Sequence, residues 1–480
     1  MAGSDGDPRS PGTGGAVLRG RDFAALRAEE FPYLEASGQA YLDYTGAALP
    51  PLSLVRGHAE RLASAVYGNP HSASPASGLS TRLAEQARRA VLDFCGAPAD
   101  DYVVVFTPNA TGALRLVAEA YPFGPERGLL MLGDDHNSVL GIRRYARPAG
   151  APVTVVAPGP QLRTGTADLL DALAEAERLG GPGLFAFPAQ SNATGVRHPL
   201  EWVPVAQARG WRVLLDAAAY LPTGPLDLAA VPADFTALSW YKITGYPSGV
   251  GCLIARREAL GGLRRPWFAG GTVLASSSHT DWHLPAPAPE RLEDGTLAFL
   301  SLPDVTAAAR WHTALGYPAL RHHTGRLTTR LLDGLAGLRH PDGSPGVRLV
   351  GPADTEARGP TVTFHLLRPD GRPLDERLCQ RAASAAGISI RTGCFCNPGV
   401  AEQENGLTPE VVRTALAGAG PAGLADVDDY LRLLPLRAQG AVRASVGAAT
   451  GAADVDRLLT VCQDLLRRQP PDPVDRRSGC

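Results

Sequence analysis

"SWYKITGYPSG", residues 239–249, contains Lys242, and no other position of the 480-residue chain is a lysine. The chain holds 46 lysines and arginines together, so arginine serves wherever a plain positive charge is needed. Arginine stays protonated and is a poor nucleophile, whereas a buried lysine amine loses its proton and condenses with a carbonyl. A stray surface lysine is the alternative. The neighbours oppose it: an apolar, strand-like run (Phe235, Ala237, Leu238, Trp240) precedes Lys242, and a turn rich in glycine and proline (Gly245, Pro247, Gly249, Gly251) follows. Such a lysine is placed at the end of a buried element.

The run at 233–242 has relatives along the chain, at 102–107, 128–133, 151–157, 183–191, 211–218 and 249–257. Helical patterns intervene at 111–121, with Leu114, Val117, Ala118 and Tyr121 on one face, and at 166–179. Continuous apolar strands separated by helices predict an α/β fold whose sheet is mainly parallel and covered on both faces. In such sheets ligands bind beyond the carboxyl ends of the strands. The last third, with helical stretches at 303–340, 374–386 and 453–467 and strands near 347, 361 and 441, reads as a smaller α+β domain. The expected division is a tail at 1–19, an N-terminal segment and large domain at 20–300, a small domain at 301–467, and a tail at 468–480. Both tails have the composition of disordered ends.

A hydrophobic content of 44% is enough for a large core, and a net charge of −2 without a basic cluster argues against a nucleic-acid partner. No apolar run reaches membrane-spanning length, and "MAGSDGDPRSPGTGG" lacks a signal peptide's apolar core, so no membrane association and a cytoplasmic location are expected. The seven cysteines, Cys95, Cys252, Cys379, Cys394, Cys396, Cys462 and Cys480, are too scattered for a disulfide framework.

Asp216 closes the run "WRVLLD", and Lys242 follows the next run, so the two converge on one cleft. A carboxylate there keeps a heterocyclic nitrogen protonated, as pyridoxal phosphate requires of its site; a helix N-cap is the rival role. In "FTPNATGAL" the turn Pro108-Asn109-Ala110 opens a helix whose free amides attract an anion, and Thr111 adds a hydroxyl. His136 in "DDHNSV" and Asn192 in "PAQSNATG" also follow strand-like runs, where an imidazole stacks on a pyridine ring and an amide bonds its phenolic oxygen; each has a plain loop residue as its rival.

Ten motifs, "YLDYTGAALP", "GNPHSAS", "FTPNATGALRLVAE", "DDHNSVLGIR", "PAQSNATGVRHPL", "LLDAAAYLPTGPLDL", "DFTALSWYKITGYPSGVGCLIARR", "RLEDGTLAFLSL", "RTGCFCNPG" and "GAVRASVG", occur in an order that resembles the class V, fold-type I pyridoxal phosphate enzymes. They look most like the aminotransferase-like domain of molybdenum cofactor sulfurases, relatives of the cysteine desulfurases. The resemblance implies a seven-stranded, mainly parallel sheet and pyridoxal 5′-phosphate on Lys242. It implies Asp216 at the pyridine nitrogen, His136 on the ring face, Asn192 at the ring oxygen, and Ala110, Thr111 and Ser239 at the phosphate. Arg443 and Asn69 would bind substrate with Arg391 assisting, and Thr296 would reach the cofactor of a partner subunit, so a homodimer is implied. Two positions depart from the desulfurases and favour the sulfurase branch: Ala219 stands where they carry Gln and Tyr241 where they carry His. Ala401 replaces a cysteine frequent in the sulfurases, and no sulfurase-type acceptor domain is expected after Cys480.

The pair Cys394 and Cys396 in "ISIRTGCFCNPG" has structural packing or half a zinc site as its plain reading, but no second pair with ligand spacing follows, and no metal is expected. The functional reading is a flexible, glycine-flanked loop (391–399) whose thiolate takes sulfur from a bound cysteine. The resemblance makes Cys396 the nucleophile and leaves Cys394 as either an accessory or a residue with no part in the chemistry. The expected activity is an L-cysteine desulfurase that forms a persulfide, releases L-alanine and hands sulfur to an unidentified acceptor. The rivals are a class V C–S or C–Se lyase or tailoring enzyme acting on another amino acid, and a cofactor-binding partner protein without turnover.

Overall fold

The computed structural model describes residues 22–480 except 71, 419–423, 425, 474 and 476–480, so the segment 1–19 lies outside the described residues. A seven-stranded sheet is ordered Tyr102–Thr107, Gly251–Arg256, Phe235–Ser239, Arg212–Asp216, Leu184–Pro188, Leu129–Leu132, Val153–Val156. Within it only Gly251–Arg256 runs against its neighbours. Leu129–Leu132, Leu184–Pro188 and Phe235–Ser239 are buried at every position, because helices cover both faces, and they therefore read as continuous apolar runs. Alternate residues of Tyr102–Thr107 feed the two cores. Tyr102, Val104 and Phe106 join one with helices Pro75–Phe94 and Leu302–Leu315; Val103 and Val105 join the other with helix Ala110–Ala120.

A second, antiparallel sheet is ordered Val347–Val350, Thr361–Leu366, Ala441–Ser445, Arg391–Gly393, and packs on helices Tyr317–Gly337, Glu376–Ala385 and Ala452–Arg468. The N-terminal segment joins this C-terminal half. Ala40–Tyr41 pairs in parallel with Ile388–Ser389, the Ser445 amide donates to Leu42, and Ala40 and Leu42 are buried in the second core. Among the described residues no helix is long and apolar enough to cross a membrane.

Two expectations are corrected. The run at 233–242 is a strand only to Ser239; Lys242 lies in the one-turn helix Trp240–Thr244, which Gly245 ends at φ +73°. A side chain at Gly245 would strike the backbone of Leu49 and Pro50, so glycine is needed there twice over. The helical stretch 303–340 breaks at Gly316 (φ +81°) into Leu302–Leu315 and Tyr317–Gly337. Described residues of the C-terminal tail make side-chain contacts: Arg368 reaches Pro470 and Asp472, and Arg377 and Arg381 reach Pro473 and Asp475.

Candidate functional site

A cavity of about 130 Å³ opens beyond the carboxyl ends of the parallel strands. Lys242, Asp216, His136, Asn192, Ala110, Thr111 and Ser239, all singled out in the sequence, line it together with Ser138, Gln190, Ala219 and Tyr241. The main sheet explains the convergence, since four of its parallel strands end at Thr107, Leu132, Pro188 and Asp216, and a fifth leads through Ser239 into the Lys242 helix.

One end of the cavity suits an anion. Helix Ala110–Ala120 begins there with Asn109 as its cap, whose side chain takes the Gly112 amide at 3.0 Å. Ser239 Oγ accepts the Ala110 amide at 2.8 Å, and Thr111 Oγ1 and Ser138 Oγ are 2.8 Å apart. Ser138 was not singled out, although it stands inside the quoted "DDHNSV".

The middle of the cavity is set for a ring and a carbonyl. His136 Nδ1 accepts the Ser138 amide at 3.1 Å, which leaves the proton of the neutral imidazole on Nε2. Burial lowers the His136 pKa below the ordinary histidine value, and Asp216 opposes that shift only in part. Asp216 is buried and its Oδ1 takes the Ala218 amide at 2.9 Å, but that bond closes a turn and no helix begins there, so the helix-cap role weighed for it in the sequence is not found. Burial lowers the Lys242 pKa as well, countered by Asp216 and reinforced by Arg443 and Arg391. Among the described residues no hydrogen bond to the Lys242 amine is present. A lowered, unpartnered amine opposite a buried carboxylate, with an anion cup at one end, fits pyridoxal 5′-phosphate.

The loop at 391–399, expected to be flexible, is tethered over this cavity. Asn192 Nδ2 donates to the Phe395 carbonyl at 2.8 Å, Asn397 Nδ2 donates to Asn192 Oδ1 at 3.0 Å and to the Asp134 carbonyl at 2.6 Å, and the Asn137 amide donates to the Cys396 carbonyl at 2.7 Å. A side chain at Gly399 would strike the Gly133 carbonyl, so the loop sits directly on the strand-end turn. Phe395 and Cys396 both adopt left-handed backbone (φ 58° and 53°), rare for such residues. Cys396 is exposed and free, while Cys394 is disulfide-bonded and so does not serve as an accessory thiol. A thiolate at Cys396 would favour the charged forms of Lys242, Arg391 and Arg443.

Arg443 is buried beneath Phe395, its guanidinium carbon 4.9 Å from the ring centroid, and donates to the Asn192 carbonyl at 3.0 Å. Arg443 and Arg391 both bond Asp43, at 3.0 and 2.7 Å. Each arginine is therefore held in an ion pair as well as being placed near the cavity. Asp43 was missed, though it lies in the quoted "YLDYTGAALP". Thr296 and Asn69 stand apart from the cavity. Thr296 lines another depression beside Phe106 and Gly249, and Asn69 bonds it at 3.3 Å, so the structure does not bring Asn69 to the other substrate residues.

The family model "Aminotransferase class-V" matches residues 40–458. The chain belongs to the class V aminotransferase family. Its class V relatives include molybdenum cofactor sulfurases of Bos taurus (36% identity over 439 residues, 86% of this chain and 48% of that protein) and of Arabidopsis thaliana (34% over 433 residues, 82% and 52%). The chain spans about half the length of the curated relatives it matches. Among solved structures, the cysteine desulfurase of Thermococcus onnurineus NA1 superposes with a TM-score of 0.75 at 23% identity, covering 92% of this chain and 97% of that one. The cysteine desulfurase CsdA of Escherichia coli gives 0.72 at 22%, covering 93% and 98%. The fold is therefore that of the fold-type I class V enzymes, and pyridoxal phosphate is the cofactor of this family.

Proposed function

We propose that this chain is a pyridoxal phosphate-dependent L-cysteine desulfurase of the molybdenum cofactor sulfurase kind, with Cys396 as the sulfur-accepting thiol. The observation that carries the reading is the tethering of the Cys396 loop to Asn192 in the wall of the Lys242 cavity. Lys242 would hold the cofactor, Asp216 its pyridine nitrogen, the neutral His136 its ring face, and Ala110, Thr111, Ser138 and Ser239 its phosphate. Asn192 has a second amide hydrogen to offer the ring oxygen besides the one given to Phe395. When bound, pyridoxal phosphate supplies the electron sink that acidifies the substrate Cα–H bond.

Lys242, held toward its neutral form, takes the Cα proton. Arg443 orients the substrate carboxylate by its planar fork, and Phe395 shields the guanidinium from water. Cys396 Sγ, as thiolate, attacks the substrate sulfur; the Cβ–S bond breaks, Cys396 keeps the sulfur as a persulfide and alanine departs. A homodimer belongs to the same proposal. Trp267, Phe268, Leu274, Trp282, Leu284 and Leu300 are exposed in the stretch around Thr296, an apolar surface suited to a second copy, whose cofactor Thr296 would reach.

The deciding experiment is incubation with L-cysteine without reductant, followed by mass spectrometry. The peptide carrying Cys396 should gain one sulfur atom and alanine should appear in equal amount. Free sulfide with pyruvate and an unmodified Cys396 would establish a lyase instead.

A further inference from the structure

Asp43 is a buried carboxylate that reaches the site from the far end of the chain. Pairing of the N-terminal segment with the second sheet sets it against Ser445, where Oδ1 takes Arg443 at 3.0 Å and Oδ2 takes Arg391 at 2.7 and 3.1 Å. Gly46 belongs to the same arrangement, since a side chain there would strike both Asp43 and Arg391. The Asp43 contact raises the Arg391 pKa and opposes the lowering that burial imposes on Arg443, so both guanidiniums stay charged.

We propose that Asp43 fixes the net charge of the carboxylate-recognition site and thereby selects amino acids that carry one anionic group. The inference rests on Arg443 being the substrate-carboxylate ligand. Two guanidiniums and one carboxylate leave a single positive charge, while Asp216 is reserved for the pyridine nitrogen of the cofactor that Lys242 would hold. One substrate carboxylate balances that charge. A second finds no free cation, only Asp43, Asp216 and the exposed Cys396 thiol, in a partly dry site where like charges repel more strongly than in water. Asp43 acts through the two arginines and is a positioning and specificity residue, with no contact to the reacting bond.

The test compares L-aspartate with L-asparagine, which match in size and differ by one negative charge. Their dissociation constants are measured by calorimetric titration of the holoenzyme, with no turnover required. The wild type should bind asparagine more tightly than aspartate. Asp43→Asn should shift the ratio toward aspartate by roughly tenfold or more, as expected for one unit charge a few ångströms away. Asp43→Glu should restore the wild-type ratio, which a merely structural role would not require. Should Asp43→Asn not fold, Arg391→Gln carries the test by moving the ratio the other way. An unchanged ratio in the folded variant overturns the inference while leaving Arg443 as carboxylate ligand. Failure of both amino acids to bind the wild type overturns that assignment too.

Discussion

Asn192 Nδ2 lies 2.8 Å from the Phe395 carbonyl, so the wall of the Lys242 cavity and the loop that presents Cys396 form one hydrogen-bonded unit. A side chain that faces the cofactor space thereby also sets the height of the thiol above it. Asn192→Ala strips Phe395 of its partner and Asn397 of one of two acceptors, a loss of about 1–3 kcal/mol in loop docking. Sulfur transfer should slow on the order of tenfold with the cofactor still bound, and limited proteolysis should begin to cut within 391–399. A loop as resistant as wild type would show that Asn137 and Asn397 suffice.

Cys396→Ser should still take up the cofactor and L-cysteine, because Lys242, Asp216 and Arg443 are untouched. Alanine release should fall on the order of 100-fold, since serine offers almost no anion to accept sulfur. Cys394→Ser, at a position already engaged in a disulfide, should keep most of the turnover. Full activity in Cys396→Ser would end the persulfide mechanism.

Arg443→Lys replaces a fork by a point charge and gives up bonds to Asn192 and Asp43 at once. KM for cysteine should rise on the order of tenfold or more, with the cofactor absorption band little changed. Steady-state kinetics over a wide cysteine range would show it; an unchanged KM would pass the carboxylate to Arg391.

His312 is fully buried behind the Lys242 helix, and burial lowers its pKa from 6.5 to about 4. The unfolded chain therefore takes up a proton that the folded one refuses. Stability should fall as pH drops from about 6.5, and the loss, about 3 kcal/mol in full, should be complete below about pH 4. His312→Gln, which keeps a donor for the Pro222 carbonyl, should flatten that slope in denaturant titrations at stepped pH. An equal slope in both proteins would assign the acid sensitivity elsewhere.

Glu293 grips Arg88 through two 2.7 Å bonds, all buried, and takes the Phe106 amide at 2.7 Å, anchoring the stretch that leads to Thr296. Glu293→Ala should cost about 3–5 kcal/mol, because Arg88 is left as an uncompensated buried charge. Denaturant unfolding measures it, and a loss below about 1 kcal/mol would mean that water reaches Arg88.

The main sheet and the cavity were legible in the sequence because each depends on local order. Strands buried on both faces must be apolar at every position, as at Leu129–Leu132 and Phe235–Ser239, and parallel strands put the residues after their ends on one edge. Lys242, Asp216, His136, Asn192 and Thr111 thus fell to one cleft from their positions in the chain, and the solitary lysine marked which cleft. Contacts between distant segments were not legible. Asp43 is separated from Arg443 by 400 positions and meets it only because Ala40–Tyr41 pairs with Ile388–Ser389. Asn192 and Asn397 meet across 205 positions, and nothing in either motif states how close the two backbones come. Hydrophobic periodicity records which side of an element is buried, so it determined the sheet and the edge that holds the site. Which charges and amides face each other across that edge is a property of how the two sheets and the N-terminal segment pack, and only the tertiary structure decided it.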